Sequence, residues 1–185
     1  MPTKPNQATE SAASAEIQRY WAALGEFVGC FSLVENIILA TLWKLSGLSE
    51  PEAQALLSEP GVDRCLILIK RLGEVKKFEP NQIDHLNQVY TKLPPINTAR
   101  NKLLHNGAQG RDVNDLTSSN FMKAYKQEKI TGIRISPAIL NQMTNDLHRI
   151  LAHLLHVNTA LPEEMLEWTT AADLSRPWLF KLEKI

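Results

Sequence analysis

The chain has 185 residues, 44% of them apolar, with 20 basic and 20 acidic side chains. That length suits a single domain with a real hydrophobic core, and the zero net charge argues against a protein that coats nucleic acid nonspecifically. The charge is unevenly placed: residues 1–62 carry 3 Lys+Arg and 7 Asp+Glu, residues 63–134 carry 13 and 7, and residues 135–185 carry 4 and 6. The middle third is therefore a modest phosphate-attracting region or an ordinary solvated one.

Residues 1–14 are rich in Pro, Ser, Thr and Ala without apolar periodicity, which reads as a disordered tail. The polar N-terminus lacks the apolar run of a signal peptide. Cys30 and Cys65 sit in apolar helical contexts without metal-type pairing and suit a reducing compartment, so a cytoplasmic protein is expected. A long helix follows from about Ala15 to Ser46, amphipathic at first through Ile17, Tyr20, Leu24, Phe27 and Phe31. From Phe27 to Leu45 it is apolar nearly all round, but it is too interrupted by Gly, Ser, Glu, Asn and Lys for a membrane span. One face suits its own domain and another a partner chain. Glu35, with Phe31 and Leu39 one turn away on either side, is either a helix-border residue or a partly buried carboxylate needing a cation.

Ser49-Glu50-Pro51-Glu52 starts a short helix with a cap and early acids. The next runs from near Asp63 to about Lys77 with Cys65, Leu66, Ile69 and Leu72 inward. Pro80 opens another, with Ile83, Leu86, Tyr90 and Leu93 at helical spacing. Pro94-Pro95 either kink this helix or separate it from the segment that follows. Residues 106–136 lose the pattern and read as a long loop. Within it, Lys123, Lys126, Lys129 and Arg134 interleave with Phe121 and Tyr125, a composition able to track and stack single-stranded RNA, or simply to pin the loop to the body. Ser136-Pro137 caps the last main helix, to about Asn158. Residues 159–185 contain Trp168, Trp178, Leu179 and Phe180 and read as a strap packed on the domain or on a second chain.

The chemistry-bearing stretch is Ile96-Asn97-Thr98-Ala99-Arg100-Asn101-Lys102-Leu103-Leu104-His105-Asn106-Gly107. On a helix, Ile96, Ala99 and Leu103 share an apolar face, while Thr98, Asn101 and His105 share the wet one. Arg100 falls at the apolar edge, where a partner is expected, and Glu35 is the candidate. On a straight helix Arg100 and His105 point about 140° apart. Asn106-Gly107 supplies a left-handed C-cap.

The run Arg100-Asn101-Lys102-Leu103-Leu104-His105 resembles the Arg-x4-6-His signature of the HEPN superfamily of small helical domains, and the resemblance extends over about residues 15–158. It implies an all-α, HEPN-like bundle of four to five main helices with a long loop before the last. It further implies a homodimer in which two copies of the motif form a metal-independent ribonuclease site, with Arg100, Asn101 and His105 catalytic. Lys102, Lys123, Tyr125 and Lys126 are then the candidate RNA contacts. A toxin–antitoxin or defence setting, with an antitoxin or nucleotidyltransferase partner, belongs to the same expectation. The chain departs from the family pattern in having Asn106 between His105 and Gly107 and a long loop afterwards.

Other chemistry lacks its motifs. His148, His153 and His156 read as surface histidines pointing three ways rather than as metal ligands. There is no carboxylate pair with two-metal nuclease spacing, no Gly-rich phosphate loop and no nucleophile motif, so no cofactor is expected. A phosphodiester cleaved without a metal points to RNA, whose 2′-OH can attack its own phosphorus. The competing reading is a non-catalytic helical module that dimerises or holds a protein or nucleotide, with Arg100 in an ion pair and His105 a cation favoured by the helix dipole.

Overall fold

The computed structural model describes residues 7–58, 60–110, 112–157 and 174–183. Among them are five α-helices: α1 (Gln7–Ser46), α2 (Glu50–Leu57), α3 (Val62–Val75), α4 (Pro80–Asn106) and α5 (Pro137–Val157). A small antiparallel sheet, β1 (Leu116–Ser119) and β2 (Gly132–Ile135), occupies part of the long segment before α5. The fold is thus all-α with a hairpin inserted. The chain divides into two units, Met1–Gly29 with Ile96–Thr144 and Phe180–Ile185, and Cys30–Pro95 with Asn145–Leu179.

Helix α1 begins at Gln7, so much of the expected tail is helical. Ala8, Glu10, Ala12 and Ala13 explain this: they are strong helix formers whose propensity needs no apolar periodicity. Residues 1–6 lie outside the described residues. By length and composition Ser14–Ser46 could cross a membrane. Phe27, Phe31, Val34, Ile38 and Leu42 on it are buried within the chain, and 39% of its most apolar stretch is buried. The exposed side of its second half carries Ser32, Asn36, Ala40 and Lys44.

In the second unit, the expected capping of α2 is present. The Glu52 carboxylate accepts from the Ser49 N–H at 2.9 Å and from its hydroxyl at 2.6 Å, and these bonds hold the Glu52 carboxyl below its ordinary range. Helix α3 ends in a Schellman turn: the Phe78 N–H donates to Gly73 O at 3.0 Å and the Lys77 N–H to Glu74 O at 3.3 Å. That turn needs a left-handed residue, and Lys77 supplies it at φ +55°. Gly73 is fixed by the same turn, because a Cβ there would stand 2.8 Å from Phe78 Cδ2. The Tyr90 hydroxyl, donating to Leu66 O, ties α4 to α3.

Helix α4 runs unbroken through Pro94-Pro95. The two rings remove the N–H donors that would normally serve Tyr90 and Thr91 carbonyls, and the division between units falls just after them, at Ile96. The prolines therefore neither end one helix nor start another. Helix α5 starts as its sequence indicates: Ser136 Oγ accepts from the Ile139 N–H at 3.2 Å, with Pro137 at the first helical position.

Candidate functional site

The first unit holds the final turns of α4. Ile96, Ala99 and Leu103 are buried there, as the helical spacing requires. Thr98 and His105 are exposed, and Asn101 is half-buried. Gly107, at φ +69°, closes the helix, its N–H donating to Leu103 O at 2.9 Å. This is the single-bond left-handed cap, a conformation in which a Cβ would be strained.

Arg100 is half-buried and donates from Nη1 to Asn101 Oδ1 at 3.0 Å. The two neighbours, which point about 100° apart along an ideal helix, are drawn together by this bond. The amide is fixed with its oxygen toward the guanidinium, which leaves its NH2 as the donor end. His105 presents its ring to solvent, and its main-chain carbonyl, an orphan of the last turn, accepts from Lys123 Nζ at 2.5 Å. Glu35 lies on α1 in the second unit, half-buried, where its negative charge adds to the desolvation that raises the Cys65 thiol.

The segment after α4 is organised by the same helix end. Buried Ser118 donates to Lys102 O at 2.9 Å. The register Leu116↔Ile135 and Ser118↔Ile133 turns those residues inward and leaves Thr117↔Arg134 on the outer face. Gln109 and Thr117 exchange two main-chain bonds at 2.9 and 2.8 Å, adding a bridge beside β1. At the far end, Asn120 closes the connection between strands: Oδ1 accepts from the Thr131 N–H at 2.7 Å and Nδ2 donates to Lys129 O at 3.1 Å. The candidate contacts Lys123, Tyr125 and Lys126 lie on that connection and Lys102 on α4. Lys126 Nζ stands 5.8 Å from the Tyr125 ring centroid and 3.9 Å from Glu128.

A second cluster, in the other unit, went unread in the sequence. His85 on α4 meets both His153 and His156 on α5. The His85 and His153 Nδ1 atoms are 2.8 Å apart, and the His85 and His156 rings stack at 4.2 Å. His153 is only 7% exposed, which corrects its reading as a surface histidine. On a helix, positions three apart are neighbours, so His153 and His156 share a side after all; only His148 is set apart. Trp178 covers the cluster, stacking on His153 at 5.8 Å and over the Arg149 guanidinium at 4.0 Å. Arg149 is buried, donates from Nη2 to Leu174 O at 3.1 Å, and has no hydrogen-bond partner at Nε and Nη1 among the described residues. The Leu179 N–H is held by both Asp146 carboxylate oxygens at 3.1 Å. Residues 174–179 thus form a strap along α5; Trp168 and residues 158–173 lie outside the described residues.

Burial pushes His153 down to about 4, helped by the charges of His85, Arg149 and His156. Burial, and then His156, lowers His85 as well, against the opposing pull of Asp84. Among the described residues no group of three or more His, Cys, Asp or Glu is set to hold a metal ion. The cluster packs under the strap, and burial disfavours the charged forms of His153 and His85 there.

No protein-family model, curated protein or solved structure matches this chain. What the geometry defines is an all-α protein with half-buried Arg100 and Asn101, bonded to each other, one turn from exposed His105 at a capped helix end.

Proposed function

We propose that the chain is a metal-independent endoribonuclease of HEPN type, acting as a homodimer. The observation that carries this reading is the pairing of Arg100 with Asn101 one turn from solvent-facing His105, at a helix end closed by Gly107. His105 removes the proton of the ribose 2′-OH, and the 2′-oxygen attacks phosphorus. Arg100 meets the negative charge that grows on the phosphorane oxygens. Asn101, its carbonyl already given to Arg100, offers its NH2 to the phosphate. The P–O5′ bond breaks, and the 5′-oxygen leaves with a proton from an acid. One histidine cannot be base and acid at once, so the partner subunit's His105 supplies that proton, which links dimerisation to chemistry. An antitoxin or nucleotidyltransferase partner, and a toxin or defence role in the cytoplasm, extend the same proposal.

The alternative is a non-catalytic helical module. It is favoured by the Lys123 bond, which gives the helix end a purely structural partner. The test is incubation of a pool of structured and unstructured RNAs with the purified protein in excess chelator, with light scattering to establish the oligomer. Cleavage by a dimer, lost in His105→Ala, supports the enzyme; an inactive, well-folded dimer supports the binding module.

A further inference from the structure

The connection between β1 and β2 puts Phe121, Met122 and Tyr125 into solvent, at 63%, 83% and 79% exposure. Three large apolar side chains within five residues, none of them sheltered, are unusual at a loop tip unless something covers them. The tip is held, not trailing. Asn120 ties its neck from both sides, and the Lys123 and Ala124 N–H groups both donate to Asn120 O at 2.9 Å. A short 3-10 turn, Gln127–Lys129, completes it. Exposed Lys123, Lys126 and Lys129 surround the rings, opposed on the tip by Glu128, and Arg134 stands on the outer face of β2.

We propose that this tip is a stacking platform for a single-stranded polynucleotide, with Phe121 and Tyr125 as the base-stacking rings and Lys126 and Lys129 as phosphate contacts. The charge pattern selects the occupant. Aromatic faces interleaved with cations suit a strand whose bases are unstacked and whose backbone is a polyanion. An anionic membrane would want a longer amphipathic element with its own apolar face, and the tip has neither the length nor the helix. Lys123 uses one of its three donors on His105 O and keeps two for a phosphate. That bond also fixes the tip beside the last turn of α4, two residues along the chain from each ring. A strand seated on Phe121 and Tyr125 is therefore delivered to Arg100, Asn101 and His105. In this last respect the inference rests on the ribonuclease reading; the platform itself does not, because stacking is indifferent to the sugar.

The test is fluorescence anisotropy with fluorescein-labelled dT15 and U15 strands, a duplex control and phosphatidylglycerol-containing vesicles, at low salt. The wild type is expected to bind both single strands similarly and the duplex more weakly. Phe121→Ala/Tyr125→Ala is expected to lose on the order of tenfold or more per ring, while Tyr125→Phe retains binding and Lys126→Ala/Lys129→Ala lowers the salt dependence. Circular dichroism checks the fold of each variant. Unchanged binding in the double aromatic variant, no single-strand binding by the wild type, or vesicle binding in its place overturns the proposal. A wild type that binds strands but cleaves none leaves the platform standing and removes the nuclease. One that cleaves, with binding indifferent to the rings, does the reverse.

Discussion

The Lys123 ammonium donates to the His105 main-chain carbonyl at 2.5 Å, joining the loop between the strands to the helix end that carries the motif. A cation at a helix C-terminus is favoured by the dipole, and here it also satisfies an orphan carbonyl. Lys123→Met keeps the aliphatic stem and removes the charge. It should cost about 0.3–1 kcal/mol of stability in urea unfolding and speed amide exchange across residues 120–131. Exchange rates equal to the wild type's would show that the bond does not hold the loop.

The histidine cluster makes stability depend on pH in a stated direction. His153 titrates at about 4 in the folded chain against an ordinary 6.5. Between those values the unfolded chain takes up a proton that the packed ring refuses. Stability is therefore full above about pH 6.5, declines by about 1.4 kcal/mol per pH unit below it, and levels off near pH 4. Arg149 and Lys92 place positive charge beside Trp178, and Asp84 opposes the lowering of His85 without overcoming it. His153→Phe keeps a ring under Trp178 and should flatten this slope, leaving a residue from His85. Urea unfolding at pH 7.5, 6 and 5 measures it; an unchanged slope in the variant would assign the acid sensitivity elsewhere.

Lys77 holds a left-handed conformation that glycine adopts freely. Lys77→Gly should raise stability by about 0.5–1 kcal/mol, the relief of the side-chain strain less the extra entropy glycine brings to the unfolded chain. A lower melting temperature would mean that the lysine stem contributes packing that outweighs its strain.

Much of this architecture was legible in the sequence where local chemistry decides it. Ser136-Pro137, Ser49 with Glu52, and Asn106-Gly107 each marked a helix terminus that the structure bears out. Burial of Ile96, Ala99 and Leu103 followed from spacing alone. The start of α1 did not, because alanine propensity leaves no apolar stripe to read. Nor did continuity through Pro94-Pro95, where the helix persists despite two lost donors and the flanking Leu93 and Ile96 are buried. The hairpin within the stretch that reads as a long loop is not legible either, since its four-residue strands are too brief for a clear alternation. The histidine cluster was missed because its organising member, His85, comes from a helix 68 positions away from His153.

The ends of the RNA products test the central proposal most directly. If His105 activates the substrate's own 2′-OH, cleavage in excess chelator must leave 2′,3′-cyclic phosphate and 5′-hydroxyl termini, and DNA of the same sequence must survive. His105→Ala and Arg100→Ala should each slow the reaction by on the order of a hundredfold or more. Mass spectrometry that finds 3′-hydroxyl and 5′-phosphate ends, or cleavage undiminished in both variants, would contradict it.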